Sequence, residues 1–450
     1  MKALNLPLWA FLPALLLVQP NPALPQTVCD APEVKLGDNF LQVAPTGSDD
    51  TANIQCALDL AIARNIPKVR LTRGEFFISS LSARKFVGTF QGGGKDFTRV
   101  NVLDQSVDCE ASEARGEATA AVKFVGGEPR IRWLTLAVDG SAAPCASGGT
   151  GHGGLDAMLH FTDQPGSPAA CASGAIHGTV ELVNLEGPGR YDFGPQAIYT
   201  GVLVSAEKSG NPDCRNTLLG SIRIGRSLIK GFSEGAWLSL RGYAEVNVLD
   251  TDFDGNHTGL RIDDSNAVVT LFGNHFVSKA PTATSCCDWT GGTGLRVDNE
   301  IASWGTTSLD IYGNTFDVRS AGFDSAWGIR LTRRSGATAV RPVISGNHFQ
   351  LTGDLAWAAS SHGVSGGILN DNLVTCYLQQ GALFLHLDAD VMGEADRWTV
   401  MSNKGLADVD WPIPDSADFH LGRNSRNTLV GPGQAAVVRD EGVGNIVLPQ

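Results

Sequence analysis

The residues of this chain best suited to chemistry recur in a fixed frame. Gly259-Leu260-Arg261-Ile262-Asp263 is echoed by Gly294-Leu295-Arg296-Val297-Asp298, and again by Gly328-Ile329-Arg330-Leu331-Thr332. Residues two apart on a strand share one face, so each arginine travels with its aspartate. Aligning the copies on their glycine gives two columns. One runs Trp237, Arg261, Arg296, Arg330, Leu383, and the other runs Ser239, Asp263, Asp298, Thr332, Leu385. The positions between them are apolar: Ala236, Leu260, Leu295, Ile329, Ala382 and Leu238, Ile262, Val297, Leu331, Phe384. The apolar columns belong to a core, so the arginines and aspartates face outward. The step from Arg330 to Leu383 is long enough to hold one further coil.

Neighbouring strands lie about 4.8 Å apart, so stacked arginines repel unless an anion stands between them. Asp263 and Asp298 can supply that charge from within, as a self-neutralising ladder on a solvated face. The alternative is a groove for sugar or uronate units, with Arg296 and Arg330 clamping carboxylates and Trp237 as an aromatic platform. On adjacent coils, the Asp263 and Asp298 carboxylates would lie about 5 Å apart, the spacing of a retaining glycosidase pair. Asp250, Asp252, Asp254, Asp263 and Asp264 are close in sequence and expected on adjacent strands. Oxygen ligands of this kind suit Ca2+, with Asp263 and Asp264 as the metal candidates.

Repetition at this scale implies a solenoid, in which each coil buries the face of its neighbour. Each arginine strand is followed by a Gly-Asn-x-Phe run: Gly273-Asn274-His275-Phe276, Gly313-Asn314-Thr315-Phe316 and Gly346-Asn347-His348-Phe349. Asn274, Asn314 and Asn347 are expected to form a ladder at a corner, bonding the backbone of consecutive coils. The 53 glycines suit many tight corners. Near the start, Ser48-Asp49-Asp50-Thr51 is a run of helix-capping residues. Ile54, Leu58, Ala61 and Ile62 follow at helical spacing until Asn65-Ile66-Pro67. This helix has no helical partner and is expected to lid the open end of the stack, whose strand edges would otherwise invite aggregation.

The chain therefore divides into a signal peptide over residues 1–26, an N-terminal arm and capping helix over 27–66, and one β-solenoid over 67–450. Residues 140–175, rich in Gly, Ser, Ala and Pro, and a second segment over 281–292 are expected to be loop insertions. The tail beyond Asp408 is expected to form closing coils that cap the far end. Lys2, the apolar run Leu8 to Val18 and the Pro/Ala-rich stretch after it read as an export signal. That run is too short to anchor in a bilayer, and no later segment is apolar enough. Cleavage removes only Lys2, so the net charge moves from −13 to −14. Such a chain repels nucleic acid and anionic membranes. Nine cysteines in an exported chain suggest disulfides, with Cys29 and Cys56 placed to tie the arm to the helix.

The segment Ser48-Asp49-Asp50-Thr51-Ala52-Asn53-Ile54-Gln55, the strand pair from Val69 to Ile78 and Gly88-Thr89-Phe90-Gln91-Gly92-Gly93-Gly94-Lys95-Asp96-Phe97-Thr98 resemble the opening of right-handed parallel β-helix proteins of the pectin-lyase-like group. The Gly-Asn-x-Phe coils resemble the same group. The resemblance covers most of residues 45–450 and implies an all-β, single right-handed parallel β-helix. The group spans lyases, hydrolases, epimerases, tailspikes and non-enzymatic surface proteins, so function must come from the site.

The expectation is a secreted or periplasmic protein acting on a polysaccharide, as a lyase that cleaves a uronate-containing glycan by β-elimination. By resemblance to β-helix pectate lyases, Arg261 is the base, with Asp263 and Asp298 beside it. Two alternatives stand open. One is a glycoside hydrolase using Asp263 and Asp298. The other is a non-catalytic glycan-binding or surface protein.

Overall fold

The computed structural model describes residues 29, 31–103, 120–138, 157–165, 172–189, 200–205, 220–239, 243–263, 266–278, 292–299, 306–319, 325–337, 339–353, 355–378, 383–388, 395–407, 419–421, 425–431 and 438–448. The expected signal peptide, residues 281–291 of the expected 281–292 insertion, Asp264 and Cys145, Cys171, Cys286 and Cys287 lie outside them.

The strands stack in parallel ladders on three faces. A full coil runs Thr258–Asp263 on the first face, Asn266–Phe272 on the second and His275–Ser278 on the third. The next coil repeats this with Thr293–Asn299, Thr306–Tyr312 and Thr315–Arg319, each pairing in parallel with its predecessor. At the N-terminal end the long strands Leu81–Gln91 and Ala120–Arg132 span the first two faces together. Among the described residues, antiparallel pairing is confined to Val34–Leu36 with Leu41–Val43 and to Gln164–Pro165 with Ala172–Gly174.

Inward residues form one continuous apolar core from the helix to Val430. Part of it is a column of rings, Phe253, Phe276, Phe316 and Phe349, stacked at 4.8 to 4.9 Å. This column explains the repeated glycine. A Cβ on Gly259 would stand 2.6 Å from the Phe276 ring, and one on Gly328 would stand 2.6 Å from Phe349. The glycine and the phenylalanine are two halves of one packing solution.

The corner between the second and third faces is equally regular. In coil after coil one residue adopts the left-handed conformation: Leu182, Arg226, Asp250, Gly273, Gly313, Gly346, Asp371 and Ser402. From Gly273 onward the next residue is a buried asparagine. The Asn274 N–H donates to Asn314 Oδ1 (2.9 Å), Asn314 to Asn347 (2.9 Å), Asn347 to Asn372 (3.0 Å) and Asn372 to Asn403 (3.0 Å). Each side-chain amide of Asn274, Asn314, Asn347 and Asn372 also donates back to a carbonyl of the preceding coil, as Asn274 Nδ2 does to Val248 (2.7 Å). The expected ladder is present and extends two coils beyond Asn347.

The helix, Thr51–Arg64, buries Ile54, Ala57, Leu58, Leu60 and Ala61 against the first strands and covers the N-terminal end of the core. Asp50 fastens its start to the sheet, accepting bonds from the Thr46 N–H (2.8 Å) and the Phe77 N–H (3.1 Å). Asn65 ends it in the left-handed conformation. A Cys29–Cys56 disulfide ties the arm to the helix, as the spacing suggested.

One expectation needs correction. Within the segment read as a loop over 140–175, Ala157–Thr162 is a fully buried strand that pairs on both sides, with Ala120–Arg132 and Thr200–Ser205. The Gly- and Ser-rich flanks hide it. The tail carries coils as expected: Val438–Asp440 and Ile446–Val447 pair in parallel with the strands before them, with Val443, Ile446 and Val447 exposed.

Candidate functional site on the first face

The first face carries the arginine and aspartate columns in the register that the repeats implied. Trp237, Arg261, Arg296 and Arg330 are successive partners, as are Ser239, Asp263, Asp298 and Thr332. The intervening Leu260, Ile262, Leu295 and Val297 are in the core. A third column stands one residue before the glycines: Glu234, Thr258, Thr293 and Trp327. Reading the alignment backward from the glycine would have found it. Past Arg330 the columns differ from the expectation. The further coil expected there is Leu355–His362, so Ser360 follows Arg330 and His362 follows Thr332. Leu383 pairs with Trp357, and Leu385 with the inward Ala359.

The reason is visible in the packing. In this coil Ala358 replaces the glycine, because the ring column has ended and Val374 stands where Phe349 stood. Without the ring a Cβ fits, and the glycine that marked the register disappears.

Arg261 is the hub of the site. Its Nε lies 3.0 Å from Asp263 Oδ1 and its Nη2 2.8 Å from Asp263 Oδ2. Its Nη1 reaches Glu234 Oε1 at 3.5 Å, and its guanidinium sits 4.6 Å from the centre of the Trp237 ring. Trp237 Nε1 donates to Asp263 Oδ2 (2.8 Å). The ring expected as a sugar platform therefore has one side engaged by the protein's own cation.

Burial pushes the buried Glu234 carboxyl up to about 7, against the attraction of Arg261 and Arg296. Burial also raises Asp263, opposed by Arg261 and reinforced by the charge of Asp298. Arg296 Nε donates to Asp298 Oδ2 at 2.5 Å, repeating the in-strand pair of the previous coil. His257, beside Arg296, is lowered to about 4 by burial and by that arginine's charge, so it is neutral at physiological pH.

The third arginine differs. Thr332 takes the place of the aspartate, so Arg330 has no in-strand carboxylate. It packs 5.0 Å from the centre of Trp327, which meets Trp357 edge to face at 5.6 Å. Burial lowers the Arg330 pKa, with Asp298 opposing. The ladder is thus self-neutralised at Arg261 and Arg296 and cationic at Arg330.

This geometry bears on the expected roles. A guanidinium bonded to both oxygens of Asp263 is held protonated, which suits a cation that orders carboxyl groups. A group near neutrality, able to give or take a proton at working pH, stands at Glu234. The aspartates proposed for Ca2+ are divided between faces. Asp252 and Asp254 lie on the third face, Asp250 at its corner and Asp263 on the first. Among the described residues no three of them gather for a metal ion.

A chain wound in parallel coils around three faces, with a helix over its first end, belongs to the right-handed parallel β-helix class. No protein-family model matches the sequence, and no curated protein matches it. Among solved structures, the Dettilon tailspike protein superposes with a TM-score of 0.58 at 12% identity, covering 90% of this chain and 68% of that one. The A-module of the mannuronan C-5 epimerase AlgE6 from Azotobacter vinelandii superposes with a TM-score of 0.57 at 16% identity, covering 90% and 96%. At these identities the likeness is one of fold.

Proposed function

We propose that this protein is an exported enzyme that cleaves an acidic polysaccharide on its first face, by hydrolysis. The observation that carries the reading is Glu234, a buried carboxyl raised to about 7 and joined through Arg261 to Asp263. Glycoside hydrolysis needs one carboxyl that arrives protonated and another that is ionised, and environments that separate their pKa values supply both. In this reading Glu234 protonates the leaving oxygen. Asp298, paired to Arg296, answers the positive charge at the anomeric carbon or activates water. Asp263 and Arg261 hold the pair in place. Arg330, with Trp327 and Trp357 beside it, binds a carboxylate of the substrate. The Cys29–Cys56 disulfide supports an oxidising compartment, secreted or periplasmic.

A second reading, β-elimination, is favoured by Arg330 itself. A cation without an in-strand carboxylate is what neutralises a uronate before the C5 proton leaves. The epimerase whose fold this chain shares is named for a uronate polymer.

The test is incubation with a panel of acidic and neutral polysaccharides, reading reducing ends and ultraviolet absorbance together. The expected result is reducing ends without absorbance on one acidic polymer. The rate should fall as pH rises through about 7 and drop by about 100-fold or more in Glu234→Gln. Absorbance rising with the reducing ends would replace hydrolysis with elimination. No product on any polymer, with retention in glycan-containing gels, would leave a binding protein.

A further inference from the structure

We propose that Thr332 is the specificity-determining residue of the first face. It turns the Arg330 coil into a second copy of the Asp263 site, one whose carboxylate is supplied by a uronate ligand. The inference rests on the acidic-glycan reading for the source of that carboxylate, and not on cleavage.

The template is in the molecule itself. Asp263 is held by the Arg261 fork, with Nε at 3.0 Å and Nη2 at 2.8 Å, and by the Trp237 indole N–H at 2.8 Å. The Arg261 guanidinium packs 4.6 Å from the centre of that indole. Two coils further on, Arg330 packs 5.0 Å from the centre of Trp327. Arg261, Arg296 and Arg330 are register partners, as are Asp263, Asp298 and Thr332. The Arg330 coil therefore keeps a guanidinium and an indole and exchanges the carboxylate for a hydroxyl. Trp237 comes from the strand beside Arg261, whereas Trp327 is on the strand of Arg330.

A second observation points to a ligand. Trp327 and Thr332 are each only 6% exposed, and Trp327 Nε1 and Thr332 Oγ1 are buried without a hydrogen-bond partner. Buried donors of this kind are costly until an acceptor meets them. Asp298, the carboxylate whose charge acts on Arg330, is already bonded to Arg296 at 2.5 Å. A carboxylate has two oxygens and about four acceptor positions, enough for a guanidinium fork, an indole N–H and a hydroxyl together. One cation without an in-strand carboxylate calls for one monoanion, which a uronate supplies and a neutral sugar does not. The two preceding coils show that an arginine in this column takes a planar carboxylate, so a uronate is favoured over a sulfate ester.

The experiment is calorimetric titration of the full chain with sodium glucuronate and sodium galacturonate, with glucose and glucose 6-sulfate alongside. These probes hold no glycosidic bond, so failure of the hydrolysis reading would leave the result standing. At least one uronate should bind saturably at one site, and glucose should not. Thr332→Asp places the chain's own carboxylate beside Arg330, as in the two coils before it. That variant should unfold at the same or a higher temperature and bind the uronate at least tenfold more weakly, a combination that a merely structural threonine would not give. Thr332→Val removes only the hydroxyl and should weaken binding by about threefold or more. It is the variant read if Thr332→Asp does not fold. Lack of binding by either uronate, tighter binding of the sulfate, or undiminished binding in the variants would each overturn the proposal.

Discussion

Two stretches of the first face use the same columns to opposite ends. In the early coils, where Lys123 and Ser205 are half-buried, several outward positions of these columns are buried: Ala120, Ala157, His160 and Leu203. Three of them form a small apolar cluster of their own, separate from the core, with Trp237 at its border. His160, held near 3 by burial and by the charge of Lys123, is neutral there and bonds Ser205 at 2.9 Å. From Trp237 onward the same register carries Arg261, Arg296 and Arg330, partly open to solvent. The backbone is indifferent to this change. A parallel coil offers outward positions at fixed spacing, and side chains alone decide between a buried seam and a charged groove. Trp237 serves both, packing on the seam and stacking under Arg261.

The comparison breaks most easily by moving charge across that border. Leu203→Arg places a cation where the early coils bury an apolar side chain, and should cost about 3–5 kcal/mol in urea denaturation. A variant as stable as the parent would mean the early columns are not closed.

Next in size is the pH dependence of the groove itself. Glu234 binds its proton more tightly folded than unfolded, because burial raises it from 4.5 to about 7. Its contribution is therefore complete below about 4.5 and is lost as pH rises through about 7, amounting to roughly 3 kcal/mol. His257 has the opposite sign, since burial lowers it from 6.5 to about 4. Its contribution is present above 6.5 and is lost as pH falls through about 4. Between pH 5 and 8 the loss from Glu234 opposes the gain from the histidines, and Glu234→Gln should make stability rise more steeply with pH than in the parent. An unchanged slope would remove Glu234 from the account.

The smallest structural effect is expected at Arg330. Without an in-strand carboxylate it contributes little to folding, so Arg330→Leu should shift stability by less than about 1 kcal/mol. The same change should weaken retention on carboxylated glycans at least tenfold. Equal retention would leave the groove's cation without a ligand role.

Much of this was legible in the residues. The helix, the Cys29–Cys56 bridge, the asparagine corner and the register of Arg261, Arg296 and Arg330 all follow from spacing. Each is local, or is repeated often enough to align. Glu234 was missed because the outward columns were counted only forward of the glycine. The further coil expected between Arg330 and Leu383 is present at Leu355–His362, but the repeat did not place it because Val374 replaces a phenylalanine and frees Ala358 from being glycine. Ala157–Thr162 was missed because its flanks are compositionally loop-like. The raised Glu234 and the unbalanced Arg330 are consequences of burial and of what stands alongside, which one strand's sequence does not express.

The asparagine corner also has a direction in time. Asn274 donates its backbone N–H to an oxygen on Asn314, and Asn314 donates to Asn347, always toward the residue made later. A ribosome delivering this chain would present a growing end whose buried donor waits for the coil still to come. Each new turn completes the one before it and opens a fresh vacancy of its own. The ladder thus gives the stack a polarity, each buried backbone N–H being satisfied by the coil after it and each side-chain amide by the coil before it.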